Sequence, residues 1–137
     1  VIVCAAAGND RKNSSSSGYS LGSPACLENV IGVMNYKEGL IPAPKSNYGA
    51  AYDIAAPGQK IISAAKSGET EPYCTKDGTS MATPFVSFAA AVLEIRFNRK
   101  SATVYDVMTS TQVTPGFRGF SPRTMSYILR FHPPRKR

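Results

Sequence analysis

Ser80 stands where a hydroxyl could be turned into a nucleophile. It follows the small-residue turn Gly78-Thr79 and precedes Met81-Ala82-Thr83-Pro84, after which the chain is uncharged from Phe85 to Leu93. This puts the serine in the first turn of a helix, beside unpaired backbone N–H groups and the positive end of the helix dipole. A hydroxyl so placed is suited to attack a carbonyl and to see the resulting oxyanion stabilised. Read alone, the same serine would be an N-cap or first-turn residue, because serine is favoured there. The small residue before it and the apolar helix behind it favour the chemical reading.

Asn9 supplies the complementary group. Ala5-Ala6-Ala7-Gly8-Asn9 ends an apolar run in small residues and a side-chain amide. Small residues at the carboxyl end of a strand let a ligand lie against backbone, at the edge where open α/β sheets bind ligands. The NH₂ of Asn9 could then donate to a developing oxyanion, with the backbone N–H of Ser80 as second donor. The plainer alternative is a turn asparagine before Asp10. Asn9 and Ser80 together weigh more than either alone.

These groups need a scaffold of strands and one long helix. Val1 to Ala7 is too short for a membrane span and ends at the turn signal Gly8-Asn9-Asp10, so it reads as a buried strand. Residues 11–22, rich in Ser, Gly and Asn, read as a surface loop. Residues 29–34, 52–56 and 61–65 read as further strands, separated by Pro- and Gly-bearing loops. A helix is predicted from Thr79 to Phe97, apolar on all sides until Glu94, and therefore expected to cross a core. Pro84 leaves the carbonyl of Ser80 without its intrahelical partner. Residues 103–111 and 123–131 are predicted as two more helices. Strands followed by a buried helix and peripheral helices imply a layered α/β domain with a mostly parallel sheet.

Five segments resemble, in order and approximate spacing, the C-terminal half of the catalytic domain of subtilisin-like serine proteases, the subtilases (peptidase family S8). They are Ala5-Ala6-Ala7-Gly8-Asn9, Asn29-Val30-Ile31-Gly32-Val33, Ser46-Asn47-Tyr48-Gly49, Asp53-Ile54-Ala55-Ala56-Pro57-Gly58 and Gly78-Thr79-Ser80-Met81-Ala82-Thr83-Pro84. The similarity runs from residue 1 to about 111, with a weaker tail. It implies a three-layer subtilisin-like α/β fold, here a partial domain whose buried central helix carries the nucleophile. Residues 1–131 would be the C-terminal portion of the peptidase domain and 132–137 a basic tail.

By that resemblance the function is serine endopeptidase, cutting peptide bonds through an acyl-enzyme on Ser80, with Asn9 as the oxyanion amide. Ala6, Ala7, Gly8 and Thr79 would contribute to substrate binding, and Gly18 would sit at the base of the pocket for the residue before the scissile bond. The Asp and His of the triad are expected upstream of Val1, so the chain by itself is expected to be inactive or barely active. His132 and the acids Asp10, Asp53 and Asp77 match no triad position. Asp77 is expected to belong to the turn that presents Ser80. The chain departs from the family in Phe85-Val86-Ser87-Phe88, where subtilases usually carry His-Val-Ala-Gly. Phe88 in place of glycine implies a changed packing partner. A silent subtilase-like domain, serving as a binding or processing partner, is the alternative.

No cofactor is required for this chemistry. Subtilases commonly hold calcium, which leaves room for a structural ion near the loop of residues 20–27, but no carboxylates cluster there and no metal ligand is assigned. The implied partners are a peptide or protein substrate and the upstream part of the same domain. The family tendency is toward secretion.

The 137 residues suffice for one domain with a real core. Lys and Arg number 16 against 9 acidic residues, a net charge of +7. That excess is scattered except at Arg135-Lys136-Arg137, with neither a recognisable module nor interleaved aromatics, which argues against a nucleic-acid partner. Three cysteines, Cys4, Cys26 and Cys74, allow one internal pair or pairing with upstream sequence.

Overall fold

β2, Val30–Lys37, is the spine of the molecule: six consecutive residues from Ile31 to Tyr36 are buried. A strand covered on both faces reads as a continuous apolar run, which is how parallel strands announce themselves. In the computed structural model, which describes residues 1–14, 22–38, 41–68, 70–97 and 127–128, β2 pairs in parallel with β1 (Val3–Ala6) on one side and β4 (Ile54–Pro57) on the other. A two-residue strand, β3 (Ile41–Pro42), runs antiparallel to the end of β2. β7 (Tyr127–Ile128) adds in parallel to β4, so the path through the sheet is β1-β2-β4-β7.

Each face of the sheet has its own core. On one, Ile31, Val33, Ile54 and Ala56 meet Ala82, Val86 and Ala90 of α1 (Thr79–Phe97). On the other, Met34, Tyr36 and Ala55 meet Ala25 and Tyr52 from the connecting segments. The period-2 alternation of β2 thus divides its side chains between the two cores. The buried residues Ala82, Val86 and Ala90 of α1 recur every four residues, which brings the helix down on β1, β2 and β4 as one narrow stripe.

Three sequence expectations change. α1 has the predicted bounds, but only that stripe is buried: Phe88 is 65% and Ile95 83% exposed. Its uniform apolarity reflects a second face that nothing in the described residues covers. Phe88 accordingly crowds no neighbour here. The helix predicted over residues 123–131 is replaced at Tyr127 and Ile128 by a strand, because the open edge of β4 offers backbone partners that a helix would leave unused. The predicted strand over residues 61–65 does form, as β5 (Ile61–Ala64), but it pairs antiparallel with an unforeseen β6 (Tyr73–Lys76) as a separate two-stranded hairpin. Residues 103–111 and the tail 132–137 lie outside the described residues. Cys4, Cys26 and Cys74 are free thiols. Among the described residues no helix is long and apolar enough to cross a membrane.

Candidate active site

β1 and β4 run in the same direction, so their carboxyl ends open on one edge of the sheet. From β1 the chain turns through Ala7, Gly8 and Asn9. From β4 it passes Gly58, makes the β5–β6 hairpin and returns to Gly78 and the start of α1. The two turns meet at that edge. The backbone N–H of Gly8 donates to Oγ1 of Thr79 at 3.1 Å, and the N–H of Thr79 donates to Oδ1 of Asn9 at 3.0 Å.

The second bond fixes the orientation of the Asn9 amide. A backbone N–H can be accepted only by the oxygen, so Nδ2 is left as the donor end. The α1 N-terminus shows the same economy. The N–H groups of Met81 and Ala82 turn back to the carbonyl of Gly78, at 3.0 and 3.3 Å, and that of Thr79 is taken by Asn9. Of the first-turn donors, the N–H of Ser80 is left without a partner among the described residues. Both Asn9 and Ser80 are exposed, whereas Thr79 between them is fully buried.

Gly78 permits this approach. Its φ of +147° belongs to a region that side-chain-bearing residues rarely adopt, and a Cβ there would lie 3.4 Å from Nδ2 of Asn9. The turn is held from below as well. Gly78 N–H donates to the carbonyl of Gly58 at 2.8 Å, and Oδ1 of Asp77 accepts from the N–H of Lys60 at 2.6 Å. Asp77, in the turn before Ser80, therefore ties the base of the β5–β6 hairpin, a role the sequence did not suggest.

The Asn9 turn is built around a side chain that sequence reasoning passed over. Asn47, 3% exposed, accepts at Oδ1 from the N–H groups of Asp10 and Lys12, at 2.9 and 3.0 Å. Its Nδ2 donates to the carbonyl of Ala7 at 2.9 Å, and its own N–H donates to the carbonyl of Gly8 at 2.9 Å. One buried amide so satisfies a whole turn, and a Cβ on Gly8, 2.6 Å from Nδ2, would not fit beside it. The available signal was the segment Ser46-Asn47-Tyr48-Gly49, in which an asparagine between turn residues reads as mere punctuation.

The other expected substrate-binding residues divide. Ala6 is half-buried at the end of β1, in register with Val33, and Gly8 lies at the rim. Ala7 is 3% exposed, with its methyl in the core beside Ala5, its N–H donating to Val33 and its carbonyl taken by Asn47. It supports the turn rather than presenting a wall. Gly18 and His132 lie outside the described residues. Asp53 is structural: it accepts from the N–H of Gly32 at 2.7 Å, while its own N–H donates to the carbonyl of Gly32 at 3.0 Å. The segment 22–29 carries Glu28 as its one carboxylate, and among the described residues no His, Cys, Asp or Glu group is arranged to hold a metal.

The family model described as the subtilase family matches residues 1–123. The chain belongs to the subtilase family. This subtilase chain is 40% identical over 96 residues to an extracellular protease of Xanthomonas campestris, covering 67% of the chain and 16% of that relative. It is 35% identical over 117 residues to subtilisin DY of Bacillus licheniformis, covering 85% of the chain and 41% of the relative. A cold-adapted subtilisin-like serine proteinase of known structure superposes with a TM-score of 0.75 at 27% identity, over 90% of this chain and 42% of that one. The fold is therefore the subtilisin-like α/β fold, present as part of a domain. This subtilase chain spans less than half the length of the relatives it matches here, and those relatives are proteases.

Proposed function

We propose that the complete protein is a serine endopeptidase in which Ser80 is the nucleophile. Asn9 Nδ2 and the Ser80 N–H would be the oxyanion donors. The observation that carries this reading is the Thr79–Asn9 hydrogen bond: it leaves Nδ2 as the donor end of the exposed Asn9 amide, and the next N–H along the chain, that of Ser80, has no partner among the described residues. Donors carried on these two turns, at the carboxyl edge of a parallel sheet, would suit an oxygen that gains charge only as the tetrahedral intermediate forms.

In this mechanism a histidine from the upstream part of the domain takes the Ser80 proton as Oγ attacks the peptide carbonyl. An upstream aspartate holds that histidine in the required tautomer. The carbonyl oxygen becomes the oxyanion. Its collapse expels the amine, which receives the proton back from the histidine, and water then releases the acyl group from Ser80. Ala6, Gly8 and Gly18 would bound the site for the residue preceding the cut, with the buried Ala7 and Thr79 supporting it from behind. The same upstream part would cover the outward face of α1. A structural calcium, if bound, would take no part in these steps. Secretion is proposed from relatives named as extracellular proteases.

The test is fluorophosphonate labelling of the full-length protein, which requires a base-activated serine. Labelling and peptide hydrolysis are expected in the wild type and neither in Ser80→Ala. The 137-residue chain alone is expected to do neither, because a triad serine without its base loses nearly all of the triad's contribution, as is known for a subtilisin. A folded full-length protein that stays unlabelled would leave a silent subtilase-like binding domain as the better description.

A further inference from the structure

Asn35 carries a side chain that its place in the sheet does not call for. It lies in β2 between Met34 and Tyr36, opposite Ala56 in register, and is 1% exposed. A buried amide must find partners for its oxygen and its two N–H bonds. Nδ2 donates to the carbonyl of Gly58 at 3.1 Å, but Oδ1 has no partner among the described residues. An apolar side chain of similar size would leave no oxygen unpaired. What Asn35 contributes must therefore come through the bond it does make.

That bond leads to the serine turn. The Gly58 carbonyl held by Asn35 is the one that accepts the N–H of Gly78, at 2.8 Å. The three groups lie directly on one another: a Cβ at Gly58 would sit 2.6 Å from Oδ1 of Asn35 and 2.5 Å from the carbonyl oxygen of Gly78. A second route leads to the asparagine turn. The N–H of Asn35 donates to Oγ of Ser46 at 3.0 Å, and that hydroxyl donates to the carbonyl of Asn47 at 2.9 Å. Asn47 in turn holds the carbonyls of Ala7 and Gly8.

We propose that Asn35 is a positioning residue for the oxyanion site, its side chain holding the Gly58 carbonyl beneath the Gly78–Ser80 turn while its backbone N–H is tied through Ser46 and Asn47 to the Gly8–Asn9 turn. This rests on the reading of Asn9 and the Ser80 N–H as oxyanion donors. Such donors act within a few tenths of an ångström, and a displacement of about 1 Å from a remote change can cost about 10² in rate. Shared-partner networks make effects non-additive, and that non-additivity is what separates positioning from general support.

The experiment uses the full-length protein with Asn35→Leu, which fills the volume and removes the unpaired oxygen, and Asn35→Ala as a second variant should the first not fold. Expected in either is a fall in kcat of about 10- to 100-fold at unchanged KM, with little further loss once Asn9→Ala is present. Faster hydrogen exchange is expected at the N–H groups of Gly78 and Thr79, with the second half of α1 still protected. Losses that multiply across the Asn9→Ala and Asn35 variants, wild-type kcat, or unchanged exchange at Gly78 and Thr79 would overturn the assignment. A wild type that neither labels nor cleaves removes the protease reading, and the oxyanion role of Asn35 falls with it. A fully active wild type beside an equally active Asn35→Leu removes the role of Asn35 alone.

Discussion

Thr79 and Asn9, 70 residues apart in sequence, are joined by a 3.0 Å hydrogen bond from the backbone N–H of one to the side-chain oxygen of the other. Thr79 returns the contact with its hydroxyl, which accepts from the N–H of Gly8. The pair closes the gap between the two turns, so Ser80 and the Asn9 amide are held in place by the one residue that bonds to both turns.

Removing the acceptor at Thr79 should therefore disturb both turns. In Thr79→Val the shape is kept but the Gly8 N–H loses its partner, a part-buried donor left unsatisfied, at a cost of about 1–3 kcal/mol. Thr79→Ser keeps the hydroxyl and should stay close to wild type. Denaturant unfolding of the full-length variants reads the stability difference. Peptide hydrolysis should show Thr79→Val losing kcat in the direction of Asn9→Ala, for which about 10²–10³ is expected, a magnitude carried over from the corresponding donor of a subtilisin. A Thr79→Val enzyme as stable and active as Thr79→Ser would show that the hydroxyl is idle.

Much of this was legible in the residues, because the Gly78–Ser80 turn, the Ala-Gly-Asn turn and the long helix are continuous segments with strong local signals. α1 has its predicted bounds, and the strands around Ile31, Ile54 and Ile61 fall within a few residues of the expected places. What escaped reading depends on partners distant in sequence. β6 has no apolar alternation of its own and exists because β5 is there to pair with. Tyr127 and Ile128 carry a pattern that suits a helix, and the edge of β4 decided otherwise. Asn47 and Asn35 are amides whose importance lies in which carbonyls they reach, and spacing does not reveal that. Apolarity on all sides of α1 was readable, but whether one chain buries both faces was not.

The outward face of α1 gives the next expectation. Phe88, Val92 and Ile95 are 65%, 37% and 83% exposed on consecutive turns of the helix. If the upstream part of the domain covers them, Phe88→Asp should destabilise the full-length protein by at least the value of burying such a side chain, about 1.5–3 kcal/mol. In the 137-residue chain alone the same change should improve solubility, since it breaks up an exposed apolar patch. Thermal unfolding of the long form and light scattering of the short one make the comparison. An unchanged melting temperature in the long form would mean that Phe88 stays in solvent there as well.

Cys4 sets a pH dependence whose direction follows from its place. It lies on β1 against the core under α1, and burial pushes its thiol above the ordinary value of 9.0, with a hydrogen bond from Ser87 acting in the opposite direction. Desolvation disfavours the thiolate in the folded state. The unfolded chain then loses this proton at lower pH than the folded one, so the unfolded state binds fewer protons between the two values and stability falls as pH rises through that window. Below pH 9.0 the contribution is fully present; above it, the contribution is progressively lost. Cys4→Val removes the titrating group while keeping an apolar side chain of similar size. Urea midpoints measured from pH 7 to 10.5 should decline less steeply above pH 9 for Cys4→Val than for the wild type. Parallel curves would show that the Cys4 thiol ionises equally readily in both states.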